Sequence, residues 1–416
     1  MTTAEHTQED QARRTRLALG TLALGAFVIG TAELVIVGIL NLIAKDTGVS
    51  VGTAGLLVTA YALGICIGGP LLTAVTIRLG RHLLLWSALS VFLVGNLLAA
   101  VTTSFGALIV ARVITGAIHG LFIGVASALA AHLVPAGQQG RAVAMVFGGI
   151  AVSTVIGVPL GTLVGNAIGW QATFVGIVAL GALALVATLA FVPRIGITGP
   201  TGLGSQARHA FASRVLAQLG VGLLLLGGQF AAFTYLASYL EDVTGISGGA
   251  VSAFLLVYGI ASAVGVFGGG RFADRGAATT LVVANVALAL ILTALHYVGH
   301  NPALTAVALA VWGLVGFGLV PSFQLRVITL AGPGGDLAAT LGASAVNAGI
   351  AGGAAAGGWA VEAHGVDSVF VLALIVMIVA LPATWAATRL RPAPAEPHGR
   401  AAEKAAPVAD PVADPT

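Results

Sequence analysis

Glu33 is the residue least in keeping with its surroundings. It lies inside Leu17–Leu42, LALGTLALGAFVIGTAELVIVGILNL, a run long enough to cross a bilayer and otherwise free of charge. A charged side chain near the bilayer centre costs roughly 2.5–3.5 kcal/mol on insertion scales, so an intramembrane carboxylate normally faces a protein interior or a wet cavity and marks a functional site. A second apolar run carries Arg112, Gly116, His119 and Gly120 at spacings that put them on one helical face. Counted at about 1.5 Å per residue from the outer ends of their runs, Glu33 lies roughly 13 Å deep and Arg112 roughly 9 Å deep, less than one helical turn apart, so the two could pair, the alternative being an arginine that snorkels to the outer surface without function. His119 sits near mid-bilayer, where an imidazole with an unperturbed pKa of about 6.5 can relay protons or, equally, serve as a neutral hydrogen-bonded core residue. Tyr61, Gln229, Tyr235, Gln324 and Asn347 are further polar residues inside apolar runs, suited to a mixed polar and apolar substrate pocket or to bonds between helices.

The elements that must position these residues are membrane helices. The 416 residues are 58% hydrophobic and only 8% charged, with a mean hydropathy of +1.02, whereas a soluble domain is about one-quarter charged. Apolar runs of roughly 20 residues, the length that spans about 30 Å of hydrocarbon, recur near 17–42, 52–76, 83–103, 106–132, 142–168, 171–192, 214–240, 248–270, 278–298, 303–330, 337–361 and 367–389. The fold expected is an all-α polytopic membrane protein of twelve transmembrane helices, since a strand barrel would show short alternating segments instead. The polar stretch Met1–Arg16 precedes a run too long for a signal core, which predicts a retained first helix. Arg13, Arg14, Arg16, Arg78, Arg81, Arg141, Arg194, Arg208, Arg214, Arg271, Arg275, Arg326, Arg389, Arg391, Arg400 and Lys404 fall at the termini and even-numbered turns, with only Lys45 opposite, so both termini are expected in the cytoplasm.

Pro193–Ser213 is Gly-rich, polar and basic, which marks a flexible linker that divides the spans six and six. The expected organisation is an N-terminal arm 1–16, a six-helix half 17–192, a cytoplasmic linker 193–213, a second half 214–389 and a disordered tail 390–416. IRLGRH (Ile77–His82) after span two and ADRG (Ala273–Gly276) after span eight stand at equivalent places. Repeated halves point to a transporter that rocks around a midplane site.

GTAELVIVG in span one, LIVARVITGAIHG in span four, IGVPLGT in span five and the two loop motifs together resemble the major facilitator superfamily. The likeness is to its twelve-span drug:proton antiporters, in the branch of arabinose-efflux and chloramphenicol-resistance permeases, and covers the chain except the N-terminal arm and the tail. It implies the major facilitator fold in two six-helix halves, a central cavity lined by spans one and four, and a role for Arg112 in proton transfer. Arg78, Gly80 and Arg81 match the first loop motif, whose acidic residue is replaced by Ile77, while Asp274 and Arg275 keep the second copy as a conformational latch or an ordinary charged turn. Gly157, Pro159 and Gly161 resemble the antiporter motif that bends span five against its partner.

The function expected is proton-coupled export of small amphipathic compounds by alternating access, from the cytoplasmic membrane. Protonation of Glu33 would compete with substrate binding, with Arg112 biasing the carboxyl's proton occupancy. Sugar or polar-metabolite efflux is the alternative, and a non-transporting receptor a remote one, since the short Ala/Pro/Asp-rich tail offers no signalling domain. No enzymatic activity, cofactor or metal is implied: the linker glycines lack the Lys-Ser/Thr ending of a phosphate loop and no His/Cys/Asp cluster has ligand spacing. A formal charge of +3 without a basic soluble face gives no reason for a nucleic-acid partner. The partners expected are substrate, protons and the bilayer, with the chain a monomer; one cysteine, Cys66, allows no intrachain disulfide.

Overall fold

The computed structural model describes residues 3–76, 79–135, 138–194 and 203–392. All regular structure among them is helical, because helices alone satisfy every backbone polar group within one lipid-exposed segment. Eleven of these helices are long and apolar enough to cross a membrane. One of them, Gly249–Val298, has 50 residues, about 75 Å at 1.5 Å per residue, more than twice a hydrocarbon core of about 30 Å. Its helical dihedrals break at Gly276, which divides it into spans eight and nine and completes twelve.

The other spans are Val51–Thr76, Arg81–Val101, Phe105–His132, Arg141–Ile168 and Trp170–Phe191 for two to six. Ser213–Asp242 is span seven, and Pro302–Gly334, Leu337–His364 and Ser368–Ala387 are ten to twelve. Span one is one helix from Thr3 to Leu34, a single turn residue at Val35, and a second helix Ile36–Thr47. The polar arm from Thr3 thus belongs to the first helix. Within the expected linker, Leu203–Ala210 forms a short helix against the cytoplasm-expected ends of spans ten and eleven. The tail from residue 393 and positions 77 and 78 lie outside the described residues.

Each half is built on the same close contacts. Gly116 of span four lies against the Tyr61 carbonyl of span two, and Gly157 of span five against the Thr31 side chain of span one, where any Cβ would collide. Without a hydrophobic force between helices in lipid, such small residues bring backbones into dispersion contact. Advancing both members of the first contact by one shared number of residues gives Gly313 against the Tyr258 carbonyl; doing so for the second gives Gly357 against Ala231. The repeat is therefore one of packing as well as of sequence. Spans two and five also carry π-helical turns, Gly64–Gly68 and Ser153–Gly157, the latter just before Pro159, whose missing N–H cannot continue the ladder.

The halves meet through spans two and eleven, five and eight, and one and seven. Hydrogen bonds across this seam gather at the end remote from the first and last described residues. Asn41 donates to Glu241 and accepts from Ser238. Ser50 and Thr53 both donate to Glu362, the latter at 3.0 Å. Deeper in, Tyr235 donates across the seam to the Gly52 carbonyl at 3.3 Å and, within its own half, to the Ala354 carbonyl at 2.8 Å, and Thr59 donates across it to the Ala351 carbonyl at 3.2 Å. That end is sealed. Towards the other end a groove of about 820 Å³ opens between Val155 of span five and Ile260, Phe267, Arg271 and Asp274 of span eight.

Candidate functional site

Three spans bring Glu33, Tyr61, Arg112 and His119 into one cluster. Span one supplies Glu33 two residues before its break at Val35. In an unbroken helix the Ala32 and Glu33 carbonyls would accept from the amides of residues 36 and 37. Here the chain tightens instead, Gly38 donating to the Val35 carbonyl at 2.9 Å. Arg112 takes the released acceptors: its Nη1 donates to Ala32 O at 2.7 Å and its Nη2 to Glu33 O at 3.1 Å, while Nε donates to Leu57 O of span two at 3.2 Å. The guanidinium is almost fully buried and lies over the Tyr61 ring at 3.9 Å.

The expected pairing of Arg112 with the Glu33 side chain is therefore corrected. The arginine is in the right place but meets the backbone, because the helix break offers carbonyls in the directions of the guanidinium fork. The carboxylate faces His119 instead, with Oε2 3.6 Å from Nδ1 and Glu33's side chain 18% exposed. Tyr61 Oη lies 3.1 Å from the same Nδ1 and 3.4 Å from the Ile29 carbonyl, and its ring meets the imidazole edge-on. Tyr61, expected to line a substrate pocket, is thus part of the ionisable cluster. Gly116 and Gly120, on the same face of span four, pack against span two at Tyr61 and Gly69.

The other polar residues expected in a pocket are dispersed. Gln229 donates to Leu225 O and accepts from Trp312 Nε1 at 3.2 Å, tying span seven to span ten. Tyr235 belongs to the seal described above. Gln324 is half-buried in span ten opposite Gly342 of span eleven. Asn347, on the span-eleven helix that packs on span two, donates to Ala343 O, and its buried Oδ1 has no partner among the described residues. Gly157 and Gly161 both face span one, Gly161 against Val35 beside the helix break, so the span-five motif supports the site from behind.

Of the loop motifs, Arg78 lies outside the described residues, Gly80 precedes the span-three helix, and Arg81 donates to Ala128 O at 3.5 Å. Asp274 and Arg275 are exposed and make no ion pair among the described residues. Sequence reasoning missed the sealing contacts altogether. The sequence alone marks Glu241 and Glu362 only as acids near span ends, and Asn41, Ser50, Thr53 and Ser238 carry no signal in it. No cluster of three metal-ligating side chains occurs among the described residues.

Twelve membrane helices whose two halves repeat one packing pattern, bridged by hydrogen bonds at one end and holding a separate buried ionisable cluster, define a membrane transporter. The chain belongs to the Major Facilitator Superfamily, whose family model matches residues 22–343. It is 38% identical to the uncharacterized MFS-type transporter YtbD of Bacillus subtilis over 346 residues, 82% of this chain and 87% of the relative. It is 33% identical to the inner membrane transport protein YdhP of Escherichia coli, covering 89% and 96%, and 34% identical to a chloramphenicol resistance protein of Streptomyces lividans, covering 81% and 87%. In fold it is similar to a D-xylose-proton symporter, with a TM-score of 0.71 at 16% identity over 91% of this chain and 98% of that one. It belongs with transporters and not with enzymes.

Proposed function

We propose that this protein is a proton-coupled antiporter of the cytoplasmic membrane, a monomer with both termini in the cytoplasm, exporting small amphipathic compounds by alternating access. The observation that carries this reading is Glu33. Its carboxyl lies within a span, partly accessible, against His119 and beside a helix break, so a change of cavity exposure changes both its solvation and its neighbours. With the end remote from the first and last described residues sealed, the open groove would load from the cytoplasm, the direction export requires. Proton entry supplies roughly 2.3 kcal/mol per charge per 100 mV, enough to sustain export against a gradient. The resistance protein of Streptomyces lividans makes chloramphenicol the first probe.

The test is uphill chloramphenicol transport in proteoliposomes driven by a pH difference. Glu33→Gln mimics the protonated side chain and cannot titrate. It should still bind the probe, lose the pH dependence of binding, and fail to accumulate it. Uphill transport by the Gln variant at the wild-type rate would overturn the assignment.

A further inference from the structure

We propose that Tyr61 is a positioning residue that reports the protonation state of Glu33 to the hinge in span one, its hydroxyl and the Glu33 carboxyl taking turns on His119 Nδ1. The inference rests on Glu33 being the coupling site and assigns a task to a residue that reading leaves unused.

One imidazole nitrogen offers a single hydrogen-bonding direction, a lone pair or an N–H, yet two oxygens face His119 Nδ1, Tyr61 Oη at 3.1 Å and Glu33 Oε2 at 3.6 Å. It serves one of them well at a time. In the proposal His119 is the neutral tautomer that carries its proton on Nε2, so Nδ1 accepts; an ionised carboxylate has no proton to give it, and while Glu33 is charged Tyr61 donates to the Nδ1 lone pair. Once Glu33 carries a proton, its O–H donates to Nδ1, and the Tyr61 O–H turns to its other acceptor, the Ile29 carbonyl at 3.4 Å. Tyr61 and His119 keep their own protons throughout; only the proton on Glu33 comes and goes.

The destination of the hydroxyl gives the exchange its consequence. Ile29 lies one helical turn before Glu33, and its carbonyl is the acceptor for Glu33's own amide in the helix. A second donor arriving there loosens the turn that leads into Val35, where the helix is already interrupted. Ring movement is blocked: Arg112 covers one face at 3.9 Å, His119 stands edge-on at 5.8 Å, and Gly116 packs on the Tyr61 carbonyl. Rotation of the hydroxyl is the remaining freedom. The other ionisable side chains of spans one, two, four, five and eleven lie at span ends, apart from Cys66 a turn and a half beyond Tyr61.

The experiment is pH-difference infrared spectroscopy of the purified full-length protein in lipid, for wild type, Glu33→Gln and Tyr61→Phe. Wild type should show a protonated-carboxyl band that Glu33→Gln removes, together with a shift of the tyrosine C–O band over the same pH step. Glu33→Gln should abolish that tyrosine shift too. Tyr61→Phe should keep the carboxyl band, lack the tyrosine component, and move the carboxyl midpoint by about half a pH unit or more, the worth of one hydrogen bond. A tyrosine band indifferent to the pH step, or one that still shifts in Glu33→Gln, overturns the proposal while leaving Glu33 as the proton site. A carboxyl band untouched by Glu33→Gln overturns the coupling site itself, and the switch with it. Should Tyr61→Phe fail to fold, the wild-type and Gln spectra decide alone.

Discussion

Arg112→Lys keeps the charge and removes the geometry, so it separates two roles for the arginine. Were Arg112 only a positive charge near Glu33, lysine would serve. The structure gives it three acceptors on two helices, Ala32 and Glu33 carbonyls in span one and Leu57 in span two, plus the face of Tyr61. A compact ammonium on a flexible stem cannot fork across both helices, and we take two of the three bonds as lost. Hydrogen bonds to charged groups contribute about 1.5–3 kcal/mol each in soluble proteins. Within membranes, double-mutant cycles average only about 0.6 kcal/mol, with a maximum near 1.7. Two bonds then span about 1–3.5 kcal/mol using the membrane mean as floor and its maximum as ceiling. The guanidinium stack adds about 0.5–2 kcal/mol depending on desolvation. A destabilisation near 3 kcal/mol is expected, measured by denaturant unfolding of purified protein in mild detergent, with Arg112→Met alongside. Arg112→Lys within about 0.5 kcal/mol of wild type would show that the fork does not hold the helix break.

Three further outcomes follow from other parts of the fold. Gly116→Val pushes a branched side chain into the Tyr61 carbonyl and should cost about 1–3 kcal/mol by the same unfolding measurement; wild-type stability would mean that spans two and four part easily. In a Cys66→Ser background carrying Thr59→Cys, replacing Glu241 and Glu362 together by Gln should speed labelling by a membrane-impermeant maleimide, because Thr59 lies beneath the seal those carboxylates hold; an unchanged rate would assign the seal to apolar packing. Asp274→Asn should slow chloramphenicol turnover more than it weakens binding, since a residue at the rim of the open groove acts on the conformational equilibrium; unchanged transport would make that loop a solvated turn.

The spans were legible because lipid imposes one length and one periodicity on every crossing. The break at Val35 was not. The adjoining Leu34, Ile36 and Val37 are neither Gly nor Pro, Val35 itself keeps right-handed helical dihedrals, and Gly38, which closes the tightened turn, reads like the many other glycines of these spans. Donation to the freed carbonyls by Arg112, a residue far along the chain, accompanies the break. Depth counting put Arg112 beside Glu33 correctly, yet which atoms it meets depends on side-chain direction, which spacing does not carry. Gln229 shows the converse limit. A glutamine inside a span reads the same whether it faces substrate or, as here, Trp312 of a neighbouring helix.

The packing repeat also shows what the two halves do not share. The register that carries Gly116 and Tyr61 onto Gly313 and Tyr258 carries Arg112 onto Leu309 and His119 onto Gly316, and the register of spans one and seven carries Glu33 onto Phe233. At the equivalent place the second half has no ionisable cluster but an aromatic one: Phe233 stacks on Tyr258 at 4.8 Å, and Trp312 meets their rings at 6.1 and 5.4 Å. Gly316 leaves room there for Gln229 Oε1, the acceptor of the Trp312 indole. Of the two tyrosines kept in both halves, Tyr61 has a titratable partner and Tyr258 has rings. The same helix pair, with the same glycine beneath the same tyrosine carbonyl, is thus filled once with groups whose bonds change with a proton and once with groups whose packing does not. Under the antiport proposed above, with the halves rocking against each other, that asymmetry would make the first half the one whose internal state responds to protons, and the second a stiff body for it to move against.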